Sequence, residues 1–228
     1  GVIIRHSRTE CKVTEQDKIH ARKKHGIASD SKVVLFLGTP HRYKGLSEIA
    51  NAISKLNRND VKFVIVGSFV DSEFKIELQS IKQVEFQFHE NTPIENIAEF
   101  LALADAVVLF QDPSSEISRY QIPAKLSDAL SIGTNVLLTP TPAVSDIIAS
   151  GAVIPVHSPQ DITDKLSELF DGQPNDPAKS HTIKELFSLE FSDEVNSRRL
   201  QNVLEATSSF NLEHIKHFAS LFPQVKPL

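Results

Sequence analysis

Six short stretches of the chain are mainly apolar: Val33–Leu37, Lys62–Val66, Val84–Phe88, Ala106–Phe110, Asn135–Leu138 and Ala152–Val156. Their length suits strands. Several lack strict alternation, as strands do when a parallel sheet is covered on both faces. Between them the period changes. Leu46, Ile49, Ala50, Ile53 and Leu56 recur at helical spacing, as do Ile94, Ile97, Ala98, Leu101 and Ala104. A further helix opens at Pro123, presents Leu126, Ala129 and Leu130, and stops at Gly133. Val144, Ile147 and Ile148 mark a short one, and Ser158-Pro159 opens one carrying Ile162, Leu166 and Leu169. Strand and helix alternate, which predicts an α/β fold: a doubly wound parallel sheet of about six strands with helices on both faces.

The ends are more polar. Val2-Ile3-Ile4 is a strand candidate and Glu15–Lys24 a polar helix. Residues 171–182 carry Gly172, Pro174 and Pro177 and read as a loop, and two helices are expected after it, around Asp193–Thr207 and Leu212–Phe222. With no internal repeat, residues 1–228 are read as one domain: a lead-in (1–30), a core sheet (31–170) and trailing helices (183–228).

Composition narrows the function. The 228 residues are 40% hydrophobic and 23% charged, with net charge −5 and no long basic run, so nucleic acid is a poor partner. Cys11 is the one cysteine, which excludes an internal disulfide, offers no zinc cluster and fits a cytoplasmic location. His20, His25, His157, His181, His214 and His217 show no metal-ligand pattern, and no metal is expected. No apolar run is long enough to span a membrane. Methionine is absent even at position 1, so a longer natural protein is expected.

Ligand contacts in such a sheet come from loops at the carboxyl ends of its strands. The loop after the first core strand, Thr39-Pro40-His41-Arg42-Tyr43-Lys44-Gly45, is basic and leads into a helix. Phosphate is held at such places by backbone N–H groups, the helix dipole and paired cations. Taken alone, the loop reads first as an ordinary solvated basic turn, and neither the dinucleotide nor the P-loop glycine pattern is present. The loop after the fourth strand, Gln111–Ile122, ends at the helix opened by Pro123. Lys125 falls in that helix's first turn, where a cation opposes the dipole. A ligand phosphate or a carboxylate partner would account for it. Asp128, one turn on, could hold ribose hydroxyls or simply pair with Lys125.

Gly38-Thr39-Pro40-His41-Arg42-Tyr43-Lys44-Gly45, together with Ile122-Pro123-Ala124-Lys125-Leu126-Ser127-Asp128-Ala129-Leu130 and Gly133, resembles the carboxyl-terminal, donor-binding half of GT-B glycosyltransferases of the large retaining class, family 4. The family places Lys-Gly at Lys44-Gly45 counted from the strand-end glycine, and a variant of its second motif reads Ile-Pro-x-Lys-x-x-Glu. His6-Ser7-Arg8 and Asn135–Ile148 also match, so the resemblance covers roughly residues 1–205. It implies one Rossmann-like half of a GT-B fold that holds a nucleoside diphosphate sugar, a UDP-sugar or GDP-sugar, with no other cofactor. Thr39, Arg42, Lys44, Tyr120, Gln121, Ile122 and Lys125 would meet the donor phosphates and the nearby sugar, Asp128 the ribose, and Phe88 and His89 the base. Stabilising the leaving diphosphate is the main electrostatic task. Thr39 stands where the family usually has arginine, and Tyr120 aligns with its first acidic position, with Glu116 four residues earlier; these two are the weak catalytic candidates.

The same resemblance implies a missing amino-terminal half that binds acceptor. Residues 1–30 would be the lead-in from it, any membrane contact would be peripheral and made through it, and this chain alone would bind donor without turnover. The alternative is a degenerate, non-catalytic domain kept for assembly or partner binding. A receiver-type domain lacks support, because Gly38-Thr39 and Gly67-Ser68 end the early strands without an acidic cluster.

Overall fold

The computed structural model describes residues 3–112, 116–172 and 177–208. Its centre is a sheet of six strands, β1 (Lys32–Leu37), β2 (Val61–Val66), β3 (Glu85–His89), β4 (Ala106–Leu109), β5 (Asn135–Leu138) and β6 (Ile154–Pro155), in the order β3-β2-β1-β4-β5-β6. Every neighbouring pair is parallel. The doubly wound sheet expected from the hydrophobic pattern is present.

β1 shows why its run is continuous. Val33, Leu35 and Leu37 pack on one face, against α1 (Glu15–Lys24), α4 (Ile97–Leu103), α6 (Ala124–Ser131) and α9 (Pro177–Leu186). Val34 and Phe36 pack on the other, against α2 (Leu46–Lys55), α3 (Ser72–Gln79) and α8 (Pro159–Asp171). Alternate side chains leave a strand on opposite faces, so two cores require an unbroken apolar sequence. The remaining helices are α5 (Glu116–Tyr120), α7 (Ser145–Ala149) and α10 (Asp193–Ser208), and a π-helical turn over Phe187–Phe191 joins α9 to α10.

Several elements depart from the expectation. Val2 lies outside the described residues, and Ile3 and Ile4 are exposed and form no strand; the lead-in instead makes one parallel bridge, Arg8 to Ser192. Residues 177–182 are helical rather than a loop. Pro177 starts α9, and the apolar anchors Ile183, Leu186 and Phe187 come only at and after its end, so the polar first half hides the helix. α3 buries only Phe74 and Leu78, too few to show a period; Asp71 starts it by accepting from the Phe74 N–H at 3.0 Å. α5 occupies part of the expected 111–122 loop. β6 shrinks to Ile154–Pro155, because Pro155 has no N–H for the ladder. The helix expected at Leu212–Phe222 lies outside the described residues.

The strand order reverses between β1 and β4. That switch point opens a crevice at the carboxyl ends of the two strands. The loop 39–45 and the 110–123 connection flank it.

Candidate functional site

Two glycines fix this rim. Gly45 sits at φ 68°, and a Cβ there would lie 2.6 Å from the Phe110 carbonyl oxygen and 2.8 Å from its Cδ1. The 39–45 loop therefore rests directly on the exit of β4, which only glycine permits. Gly67 closes β2 against β1, with its Cβ position 2.1 Å from the Gly38 carbonyl oxygen. Lys125, in the first turn of α6, lies over Gly38: a Cβ on Gly38 would meet its Cε at 3.7 Å. Residues some eighty positions apart in sequence thus share one mouth.

Lys44 Nζ donates to the Thr39 carbonyl at 2.8 Å and stands 5.9 Å from the Phe36 and Tyr43 ring centres. No carboxylate pairs with it among the described residues. Burial, and then the charge of Lys125, hold its ammonium below the usual lysine range. Two cations side by side at a half-buried rim repel each other, and an anion between them would relieve both penalties. Arg42 does not add to this pair in the structure. Its guanidinium is bonded to Asp71 at 3.0 Å and to both oxygens of Glu77, and it lies 4.8 Å over the Phe74 ring. It ties the loop to α3.

Asp128 is 4% exposed. Its two oxygens accept from different cations, Oδ1 from Arg8 Nε at 2.6 Å and Oδ2 from Lys125 Nζ at 3.2 Å. The carboxylate partner that would account for Lys125 is therefore there. Arg8 is itself held in place, since its N–H donates to the Phe191 carbonyl at 2.9 Å and its carbonyl accepts from the Asp193 N–H at 3.1 Å. Beside it opens a cavity of about 300 Å³. Arg8, Asp128 and Asp193 form its polar side; Ile94, Ile97 and Leu101 form an apolar wall. Asp128 thus separates the lysine mouth from this cavity.

Residues 17–185, well over half of the chain, match the family model described as glycosyl transferases group 1. The chain belongs to that family. No curated protein sequence matches it. Among solved structures, the glycosyltransferase from Rickettsia africae ESF-5 superposes with a TM-score of 0.73 at 16% identity, over 92% of this chain and 58% of that one. The Anabaena protein Alr3699/HepE, solved in complex with UDP and glucose, gives 0.69 at 15% identity over 89% and 55%. The C-terminal domain of the group 1 protein LpcC from Francisella tularensis gives 0.62 at 22% identity over 81% and 97%. At these identities the likeness is one of fold, a GT-B Rossmann-like domain. The chain spans between half and three-fifths of the first two proteins.

In this group 1 domain the other expected residues are spread out. Phe88 turns to the α3 side, stacked on Phe86 at 5.5 Å, with Lys75 Nζ 5.1 Å from its ring centre. His89 faces α1 and α4, 5.0 Å from His25 and 4.9 Å from Phe100. Its buried Nε2 has no partner among the described residues, and burial and then His25 lower its pKa. Neither lines the cavity. Tyr120 is 75% exposed at the end of α5, Glu116 and Gln121 are exposed, and Ile122 packs against the core. Arg8, matched only as part of the lead-in, and Asp193 and the Ile94–Ile97 wall are site features to which motif reading gave no role. The available signal was Asp128 itself: a carboxylate on the buried side of an amphipathic helix needs a cation from somewhere. Among the described residues no group of His, Cys, Asp and Glu could hold a metal ion, and no helix is long and apolar enough to cross a membrane.

Proposed function

We propose that this chain is the carboxyl-terminal, donor-binding half of a retaining, family 4 glycosyltransferase. It holds a nucleoside diphosphate sugar by its pyrophosphate while the sugar is transferred to an acceptor bound by an amino-terminal half. One observation carries the reading: Lys44, bonded to the Thr39 carbonyl, and Lys125, lying over Gly38, both stand at the β1/β4 switch point, and Lys44 has no carboxylate partner among the described residues. An anion there gains two charge-assisted contacts and the free N–H groups that open α6. As the diphosphate leaves, its growing charge would be met by these groups without reorganisation. The near-complete coverage of the LpcC C-terminal domain supports the assignment to the second half, and the UDP complex of HepE supports the ligand class. A cytoplasmic location belongs to the same proposal, as does the division into lead-in, core and trailing helices.

Titration calorimetry with UDP, GDP and their sugar conjugates tests it. Saturable binding is expected, weakened tenfold or more by Lys44→Ala, because a charged hydrogen bond contributes about 1.5–3 kcal/mol. Folded protein that binds no nucleotide would refute it. A second reading has its own support. Arg42 is occupied by Asp71 and Glu77, Asp128 is sealed by Arg8, and Tyr120 stands at the family's first acidic position. A non-catalytic domain kept for assembly would show this pattern, and it predicts no nucleotide binding under the same titration.

A further inference from the structure

Arg8 uses one of its three guanidinium nitrogens. Nε donates to Asp128, while the terminal nitrogens NH1 and NH2 have no hydrogen-bond partner among the described residues. The side chain lines the cavity, and its backbone is pinned to Phe191 and Asp193. A guanidinium fixed at its stem, with two donors left to solvent in a side chain 27% exposed, is a recognition element at low entropic cost. On the other side of Asp128 lies the lysine mouth.

We infer that the donor's nucleoside occupies this cavity, that Arg8 reads its base, and that the preferred base is guanine. The inference rests on the donor-site reading above. With pyrophosphate between Lys44 and Lys125, the nucleoside extends past Asp128 into the cavity. The base lies against the apolar side chains of Ile94, Ile97 and Leu101. Guanine presents two adjacent acceptors, O6 and N7, which an arginine fork takes together. Adenine sets an N6 donor beside N7 and opposes the fork. Uracil separates its two carbonyls by an N–H, so the fork holds one of them. Guanine's opposite edge carries donors, and Asp193, whose Oδ2 accepts from Thr9 Oγ1 at 2.7 Å, lines the same cavity next to Arg8 as a further acceptor.

The test is calorimetric titration of the whole chain with GDP, UDP, ADP and inorganic pyrophosphate, for the native protein and Arg8→Lys. Lysine keeps a cation beside Asp128 and removes the fork. The native chain is expected to bind GDP at least tenfold more tightly than UDP or ADP. Arg8→Lys is expected to bring GDP down to the level of UDP. A native preference for UDP or ADP, or an Arg8→Lys ratio of GDP to UDP equal to the native one, overturns the inference. Pyrophosphate binding with no gain from any base overturns it and leaves the phosphate mouth standing. No binding of any of the four refutes the donor site itself. If Arg8→Lys does not fold, Cys11, which also lines the cavity, gives a second measurement on the native chain. GDP should slow its alkylation by N-ethylmaleimide more than UDP does at equal saturation of the lysine mouth, and equal protection overturns the inference.

Discussion

Replacing Asp128 by asparagine keeps the side-chain shape and removes one negative charge from between two cations. The structure sets the size of the effect. Asp128 is 4% exposed and accepts from Arg8 at 2.6 Å and Lys125 at 3.2 Å, whose side chains are 27% and 28% exposed. Removing one member of a buried pair costs about 3–5 kcal/mol, chiefly because the partner charge is left uncompensated. Here water reaches part of both cations, and the amide oxygen of asparagine still accepts one hydrogen bond. The expected loss is therefore about 2–3 kcal/mol, or about 5–10 °C in Tm for a chain of this size. Urea denaturation followed by circular dichroism measures it, and added salt should change it little, because buried pairs are weakly screened. The same substitution releases Lys125 from its carboxylate. Inorganic pyrophosphate should then bind more tightly than to the native chain. Stability and anion affinity move in opposite directions. A loss under about 0.5 kcal/mol would make the Lys125–Asp128 contact an ordinary surface pair, and a parallel fall in pyrophosphate affinity would refute the separation of mouth and cavity by Asp128.

Three further outcomes are expected. Gly67→Ala should destabilise by about 3 kcal/mol or more in urea titration, since its Cβ would fall 2.1 Å from the Gly38 carbonyl oxygen at φ 151° and the two strand ends would have to part. Lys44→Met keeps the apolar stem and removes a cation whose protonation burial and Lys125 already disfavour; thermal stability should hold or rise while pyrophosphate affinity falls. His89 titrates below the usual histidine value because it is buried and faces His25, which is bonded to Glu99 beside Lys24. The unfolded chain binds its proton more readily, so stability should be fully present above about pH 6.5 and fall as pH drops through that value. His89→Gln should flatten that fall in urea midpoints measured at pH 7.5 and 5.5, and an unchanged slope would contradict the assignment.

Local pattern made the sheet legible because each buried strand must feed two cores. Val33 to Leu37 alternate between the α1/α4/α6 side and the α2/α3/α8 side, so no polar residue can interrupt the run. The Lys44 mouth was legible for a related reason. A basic loop at a strand end and a cation in a helix's first turn are each anomalous locally, and an anion explains both. Elements with few buried anchors gave no such signal. α3 buries two residues, and the apolar anchors of α9 come only at its end and just past it. The base contacts assigned to Phe88 and His89 follow strand alternation in the structure: adjacent residues leave β3 on opposite faces, toward α3 and toward α4.

Arg8 is the part that no window of sequence can supply. Its partners, Asp128 and the 191–193 segment, lie more than a hundred residues away, and the link exists only because the lead-in returns along the start of α10. Arg5 anchors the same return. It is 8% exposed, 5.4 Å over the Phe191 ring, bonded to Glu190 at 3.1 Å and also to Asp146, and Asn196 accepts its backbone N–H at 2.8 Å. Glu190 is held below the usual carboxylate range by Arg199 first and Arg5 second. The lead-in is therefore fastened at Arg5 and again around Arg8, and it is Arg8 that reaches Asp128. Motion of the lead-in that left Arg5 in place would pivot about that clamp and act on Asp128 through Arg8, so the fit of the cavity and the charge balance of the lysine mouth are set by one arginine.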